Sequence, residues 1–262
     1  MKIHFFEEYP TEENLTKAEL LAFPSTIYLA AKSLREFFGY REKLSQINPN
    51  LKAAYWPILP KSYWLSPFSY ASELENLKKE LEDYRGDSPI EVLLDLELPI
   101  LNKKLFFKNA FSFFRNKKNI RRILLLSREK NIWFATAEYP PTGRIFEKIF
   151  RILGVSYSAG RFQHEKIIMF YSSMLKKYRP LGFDIFNSVK NFLKKESSLN
   201  NRRMRIGLGT ISRGALGNEP ILSPAELAAN LLFLKELNIK TAVIFRLGGL
   251  TEDYLNIINQ FV

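Results

Sequence analysis

Short apolar runs alternate with amphipathic segments along the whole chain. Eight runs rich in Ile, Leu, Val, Phe and Ala begin near residues 2, 25, 51, 90, 131, 165, 204 and 240, and a segment with helical periodicity comes after each of them. Uninterrupted apolar runs are typical of strands buried on both faces of a parallel sheet. Eight strand–helix units in 262 residues predict a single domain, residues 1–262, with the α/β fold of a closed (β/α)8 TIM-type barrel.

The same pattern gives the element boundaries. Strands are expected over residues 3–8, 25–31, 51–59, 90–99, 131–138, 165–171, 204–211 and 241–247. Helices are expected over residues 11–23, 33–47, 71–84, 101–126, 142–153, 172–201 with an interruption at 180–182, 223–237 and 251–261. The rival fold is a doubly wound open sheet, which usually carries a glycine-rich nucleotide turn after its first strand. No such turn follows the first strand here.

The fourth apolar run, residues 90–99, reads I-E-V-L-L-D-L-E-L-P and ends in two carboxylates. Asp95 and Glu97 are two residues apart, so on a strand they point to the same side. The carboxyl ends of all strands of a (β/α)8 barrel lie at one end of the barrel, the mouth, and enzymes with this fold have their active sites there. The alternative is that the two acids are solvated loop residues or partners of nearby arginines.

Other predicted strands also end in acids. The tripeptide E-Y-P ends both the first and the fifth strand, at Glu8 and Glu138. These strands face each other across a barrel axis, which suggests a matched use of the two acids. Glycoside cleavage needs one protonated and one ionised carboxyl group, and crowding of acids raises the pKa of at least one of them. We therefore predict a site acting on a carbohydrate or glycoconjugate, with Glu97 as general acid and Glu138 or Glu8 as the second carboxylate.

Substrate-binding residues are expected among the aromatic and basic side chains at the mouth, namely Trp56, Tyr171, Arg246 and Arg213. Trp56 can stack on the face of a sugar ring, and the other three can orient and stabilise the substrate. The alternative for the aromatic residues is core packing. The alternative for the acids is a salt-bridge network with the two arginines.

The D-x-E ending of the fourth strand resembles the tail of the signature of chitinase-like glycosidases. In that family the glutamate is the general acid and the preceding aspartate helps to position the substrate. The resemblance therefore implies Glu97 as the acid, Asp95 as its partner, and Tyr171 as a substrate-stabilising tyrosine. The match covers one strand. The sequence departs from the family at Leu93, where an earlier aspartate is expected, and in having no tryptophan at the end of the eighth strand.

A second interpretation uses the loops after the seventh and eighth strands, which often bind phosphate in barrels. Glycines surround both strand ends, and Arg246 or Arg213 would supply the cation. The chain would then be a sugar-phosphate isomerase, aldolase or lyase, with a phosphorylated small molecule as its substrate. Against this interpretation, Glu252 and Asp253 already occupy the first turn of the last helix.

The charge balance opens a third interpretation. The net charge is +12, from 39 basic and 27 acidic residues, which favours anionic partners. Residues 101–130 hold ten basic residues and one acid, interleaved with five phenylalanines. A non-catalytic barrel could bind a nucleic acid, an anionic membrane surface or an acidic protein through this segment. We favour the alternative, an outer helix with its phenylalanines against the strands and its lysines in water.

The remaining composition restricts cofactors and location. Cysteine is absent and only two histidines are present, His4 inside the first strand and His164 before the sixth. We therefore expect no metal ion or other cofactor, although an all-carboxylate Mg²⁺ site stays open. With no signal peptide and no apolar run of about 18 residues, a cytoplasmic protein is expected. No oligomeric state is predicted.

Overall fold

The predicted (β/α)8 barrel is confirmed. In the computed structural model, which describes residues 1–86, 88–177, 184–200 and 204–262, eight parallel strands pair in chain order and the eighth closes on the first. The strands are β1 (Lys2–Glu7), β2 (Thr26–Ala31), β3 (Lys52–Pro57), β4 (Ile90–Asp95), β5 (Ile132–Glu138), β6 (Glu165–Phe170), β7 (Met204–Gly209) and β8 (Thr241–Phe245). β4 ends four residues earlier than predicted, and β3, β7 and β8 each end two residues earlier. After β4, Leu96 bridges to Leu65 in the loop that follows β3.

Helices surround the barrel. They are α1 (Glu12–Thr16), α2 (Leu34–Ile47), α3 (Ala71–Glu82), α4 (Lys104–Lys108), α5 (Phe113–Leu125), α6 (Arg144–Leu153), α7 (Ala159–Phe162), α8 (Ser172–Lys177), α9 (Ile185–Asn200), α10 (Pro224–Glu236) and α11 (Glu252–Ile258). The capping box of Ser223 and Glu226 is present at the start of α10. The predicted interruption at 180–182 lies outside the described residues.

The helical region expected over 101–126 is divided into separate helices. The chain forms α4, a 3-10 helical turn (Ala110–Ser112) and then α5. Asn109 marks the break with backbone angles outside the helical region, and its side-chain amide donates to the carbonyl oxygen of Phe68 at 2.7 Å. A side chain that bonds to a distant backbone carbonyl ties this turn to the loop before α3, so the segment follows the loop rather than one helix axis.

The barrel interior and the space under the helices hold separate apolar cores. Strand residues alternate between the two, as the period of two in a strand requires. The interior core is made of Phe6, Tyr28, Ala30, Ala54, Trp56, Leu93, Ala135, Ala137, Ile167, Met169, Val243 and Phe245. This alternation decides which side chains at the strand ends reach the barrel mouth.

The amino-terminal pole of the barrel carries a paired charge network. Arg205 forms ion pairs with Glu91, at 2.7 Å, and with Glu165, and the hydroxyl of Tyr28 donates to Glu91 at 2.6 Å. An open depression of about 1220 Å³ lies at this pole. The inward-facing charges of Arg205, Glu91 and Glu165 at its base are therefore engaged with one another.

None of the described helices has both the length and the apolar character needed to span a membrane.

Candidate functional site

A cavity of about 220 Å³ opens at the carboxyl ends of the strands. Its wall combines aromatic rings with four acids, namely Glu8, Asp95, Glu97 and Glu219. Among the residues that the structure describes, no lysine or arginine lines it, although the chain carries a net charge of +12. The cavity is therefore an acidic site inside a basic protein.

Asp95 and Glu97 form the centre of this site. Both point inward from the end of β4, and their carboxyl groups lie within hydrogen-bonding reach of each other. Burial, followed by the charge of Glu97, raises the pKa of Asp95 well above its usual range. Burial also raises the pKa of Glu97, to about 7. Both carboxyl groups therefore hold a proton more readily than free acids do, and Glu97 can gain or lose its proton near neutral pH.

The loop before α3 holds this pair in place. The backbone N–H of Leu65 donates to the carbonyl oxygen of Asp95 at 3.0 Å, and the N–H of Glu97 donates back to Leu65 at 3.2 Å. From β5, the hydroxyl of Tyr139 donates to Oε2 of Glu97 at 2.9 Å, which lowers the pKa of Glu97 against the effect of burial. The carboxyl group is thus fixed by contacts from two neighbouring segments.

Glu8 reaches the cavity from the end of β1. Burial raises its pKa to about 7, although the hydrogen bond from the Tyr63 hydroxyl lowers it. Tyr63 adopts a left-handed backbone conformation with φ of 66°, which costs a non-glycine residue about 1 to 3 kcal/mol. Gly214 packs so closely on the other side that a Cβ there would lie 2.5 Å from Oε2 of Glu8. The glycine therefore allows close approach to an acid.

Buried polar atoms without a hydrogen-bond partner gather in this cavity. They include Oε2 of Glu8 and Oε2 of Glu219, whereas the indole N–H of Trp56 donates a hydrogen bond to Asp95 that lowers its pKa. Buried polar groups in folded proteins are normally hydrogen-bonded. Unpaired carboxylate oxygens on two segments around one cavity indicate a ligand that donates hydrogen bonds. Glu219 was missed in the sequence analysis because it lies in an irregular loop after β7. The one signal for it in the sequence was that it is a single acid in a glycine-bearing stretch.

The structure does not bring Glu138 to the cavity. It lies one position out of phase with the inward-facing Ala137 of β5, is 1% exposed, and accepts a hydrogen bond from Nζ of Lys166 at 2.8 Å. Burial is the largest single effect and would raise its pKa, but the charge of Lys166 and the hydrogen bonds to Glu138 together outweigh burial, and the pKa falls to about 2. Thr136 and the backbone N–H of Tyr157 also donate to it. Glu138 is therefore an ionised partner beneath the helices.

Arg246 and Arg213 also lie outside the cavity wall. Arg246 donates to Oε1 of Glu7 at 3.0 Å and to the backbone oxygen of Arg213 at 3.0 Å. The backbone N–H of Gly248 donates to Oε2 of Glu7 at 2.6 Å. Glu7 is fully buried and accepts hydrogen bonds from the Arg246 guanidinium and the Gly248 N–H. These are the groups that would have to bind a phosphate in the phosphate interpretation. The Arg213 side chain is exposed.

The aromatic candidates do meet at the mouth. Trp56 and Tyr171 line the cavity together with Trp64 and Tyr139. Tyr171 lies over Gly209, where an added Cβ would be 3.0 Å from its ring. Trp56 is 3% exposed and its ring centroid lies 5.6 Å from that of Phe6, so it packs in the interior core and also forms part of the wall.

The described residues contain no group of three His, Asp or Glu side chains arranged to hold a metal ion. His4 accepts a hydrogen bond from the backbone N–H of Thr26 at 3.0 Å near the amino-terminal pole. His164 is buried 3.9 Å from Glu138. Both histidines lie away from the cavity.

Comparison with known proteins finds similarity in fold. No protein-family model and no curated protein sequence matches the chain. A GH18 chitinase from Pseudoalteromonas aurantia has a TM-score of 0.61 at 11% identity, with 100% of both chains covered. The spore cortex-lytic enzyme SleL from Bacillus cereus has a TM-score of 0.59 at 11% identity, covering 99% of this chain and 74% of that one. A D-allulose 3-epimerase from Methylomonas sp. has a TM-score of 0.56 at 14% identity, covering 100% and 98%. The expected likeness to glycoside hydrolase barrels is confirmed in architecture.

Proposed function

We propose that the chain is a glycoside hydrolase in which Glu97 is the general acid. The observation that carries the proposal is the pair of buried Asp95 and partly buried Glu97 facing the cavity, with the pKa of Glu97 raised to about 7. A general acid works best when its pKa is close to the working pH. Asp95, whose pKa is raised well above its usual range, acts as the positioning partner that holds the Glu97 carboxyl group toward the substrate.

Glu8 is the second carboxylate in this proposal. It lies in the same cavity, and its charge is near enough to raise the pKa of both Asp95 and Glu97. When Glu8 is ionised, it favours the protonated form of Glu97, which is the form that an acid needs. Glu138, held ionised by Lys166, takes a structural role here.

The proposed substrate is a neutral or amine-bearing saccharide. Hydroxyl groups of a sugar can donate hydrogen bonds to the unpaired carboxylate oxygens of Glu8 and Glu219, and the aromatic wall can cover a ring face. An acidic cavity with no lining cation among the described residues disfavours a phosphorylated ligand by charge repulsion. A GH18 chitinase and a glycoside hydrolase domain share this fold, but so does an epimerase, so the site and not the fold carries the proposal.

A substrate screen tests the proposal. The purified chain is incubated with chitin-type, glucosamine and glucose oligosaccharides and with sugar phosphates, and new reducing ends and thermal stability are measured. We expect cleavage of a neutral or amine-bearing oligosaccharide and, at about 100 times its Kd, stabilisation by roughly 2.7 kcal/mol. Trp56→Ala should weaken that binding. Stabilisation by sugar phosphates alone, lost in Arg246→Ala, would overturn the proposal in favour of a phosphate-binding enzyme.

A cytoplasmic location is the other part of the proposal, and a chain without cysteine is compatible with a reducing compartment. Fractionation of cells that express the tagged chain tests it.

A further inference from the structure

Large apolar side chains are exposed mainly in one part of the chain. Ten of the fourteen exposed large apolar residues among those described lie in the range 100–152. Phe107, Phe111 and Phe114 are 84%, 101% and 82% exposed, which contradicts the expectation that the phenylalanines of this segment all pack against the strands. Scattered exposed apolar residues are ordinary, but a concentrated set marks an interaction surface.

Helix α6 has the same property in a stronger form. It has no buried residue, although its sequence is strongly amphipathic. Ile145, Phe146, Ile149 and Ile152 follow the spacing that places apolar residues on one helix face, and all four are exposed, from 40% to 73%. Phe150 and Leu153 of this stripe pack partly against the core, but the rest of it faces solvent. An apolar stripe turned toward solvent needs another apolar environment to cover it.

The two sets of exposed residues lie on adjoining helices. Nζ of Lys117 in α5 donates to the carbonyl oxygens of Arg151 and Ile152 at the end of α6, at 2.8 and 2.6 Å. Phe114 lies one helical turn before Lys117, and Phe113 and Phe106 both pack on Phe68, joining α4 to α5. The exposed apolar residues of α4, of α5, of the turn between them and of α6 therefore form one surface, here called the α4–α6 face. Its members are Phe107, Phe111, Phe114, Ile145, Phe146, Ile149 and Ile152.

Charge selects the partner of this face. Residues 101–130 carry ten Lys and Arg against one acid, and Lys103, Lys104 and Lys108 are exposed with no ion pair to any described residue. A second copy of the chain would bring the same positive charges face to face. Nucleic acid would use the charges and could stack on phenylalanines, but the isoleucines of α6 offer nothing to a base. Apolar side chains surrounded by lysine and arginine suit an anionic lipid surface.

We propose that the α4–α6 face docks the protein on an anionic lipid bilayer, with its phenylalanine and isoleucine side chains in the lipid interface. Ile100, four residues before the start of α4, is 42% exposed and also lines the acidic cavity. The α4–α6 face therefore adjoins the cavity rim. A saccharide displayed on that membrane would then lie beside the cavity. This part of the inference rests on the proposed function. Docking itself requires no catalysis.

Vesicle sedimentation of the full chain tests docking without any activity measurement. Vesicles contain either phosphatidylcholine alone or one part phosphatidylglycerol to two parts phosphatidylcholine. The test variant is Phe111→Ser with Phe114→Ser, and the control is Trp133→Ser, which removes an aromatic side chain that is 69% exposed in β5. Thermal unfolding of all three proteins should agree, because the replaced side chains are exposed.

We expect binding to the anionic vesicles that weakens with added salt, falls roughly tenfold or more in the double variant, and is unchanged in the control. Absence of vesicle binding, or equal loss in the double variant and the control, would overturn the proposal. Dimerisation that only the double variant abolishes would assign the face to a second copy. Salt-sensitive binding of an oligonucleotide, in place of vesicles, would assign it to nucleic acid.

Discussion

Replacing Glu138 by glutamine should destabilise the barrel and leave its chemistry intact. Glu138 is 1% exposed and accepts from Lys166 at 2.8 Å. A glutamine has nearly the same shape, but its neutral amide leaves the ammonium group of Lys166 without an anion. Removing one member of a buried ion pair is costly because the remaining charge stays desolvated.

The size of the effect follows from the pKa of Glu138. A fall from 4.5 to about 2 corresponds to about 3 kcal/mol of folding free energy, at about 1.4 kcal/mol for each pKa unit. In a chain of this size that should lower Tm by roughly 6 to 12 °C. The folded-state pKa is below the unfolded one, so the stabilisation is fully present above pH 4.5 and is lost as the pH falls toward 2. The difference between wild type and variant should shrink over the same range.

Thermal and urea unfolding at several pH values measure this difference, with turnover measured per folded molecule. The control is Glu147→Gln, whose partner Arg151 is half exposed, so its loss should cost no more than about 1 kcal/mol. The reasoning is refuted if Glu138→Gln has the same Tm and free energy of unfolding as the Glu147→Gln control while its turnover per folded molecule drops a hundredfold. Glu138 would then belong to the chemistry, as the sequence first suggested.

Two further predictions concern the pH dependence of turnover. Tyr139→Phe removes a hydrogen bond that lowers the pKa of Glu97. The pKa of Glu97 should rise, so the fall in kcat/KM at alkaline pH should move to higher pH. An alkaline limb that does not move would show that Glu97 is not the general acid. Tyr63→Phe removes the corresponding bond to Glu8, so the rise in kcat/KM at acidic pH should also move to higher pH, and an unchanged acid limb would mean that Glu8 need not be ionised.

The architecture could be predicted from the sequence because eight apolar runs with interleaved helices allow few other folds. The direction of individual side chains was harder to predict. Glu8 and Glu138 stand in the same tripeptide, yet Glu8 faces the cavity and Glu138 faces the helices. A shift of one residue exchanges the two faces of a strand. Strands that are apolar on both faces contain no polar alternation that would reveal this phase.

Asp95 and Glu97 were easier to find, since a spacing of two fixes their shared direction whatever the phase of β4. Glu219 depends on the path of the loop after β7, which the contact of Gly214 with Glu8 helps to define. Tyr63 reaches Glu8 only from its left-handed backbone conformation, which no propensity for tyrosine predicts. Contacts made by irregular loops thus complete a site whose centre lies on one strand.

The most direct test of the central claim compares two leaving groups in Glu97→Gln. A general acid protonates the departing oxygen and contributes about 10² to 10⁴ in rate, but a dinitrophenyl group leaves without protonation. On the cleaved oligosaccharide found by the substrate screen, Glu97→Gln should lose activity by that factor, whereas the matching dinitrophenyl glycoside should be cleaved at nearly the wild-type rate for the bond-breaking step. Equal losses on both substrates, or none on either, would contradict Glu97 as the general acid.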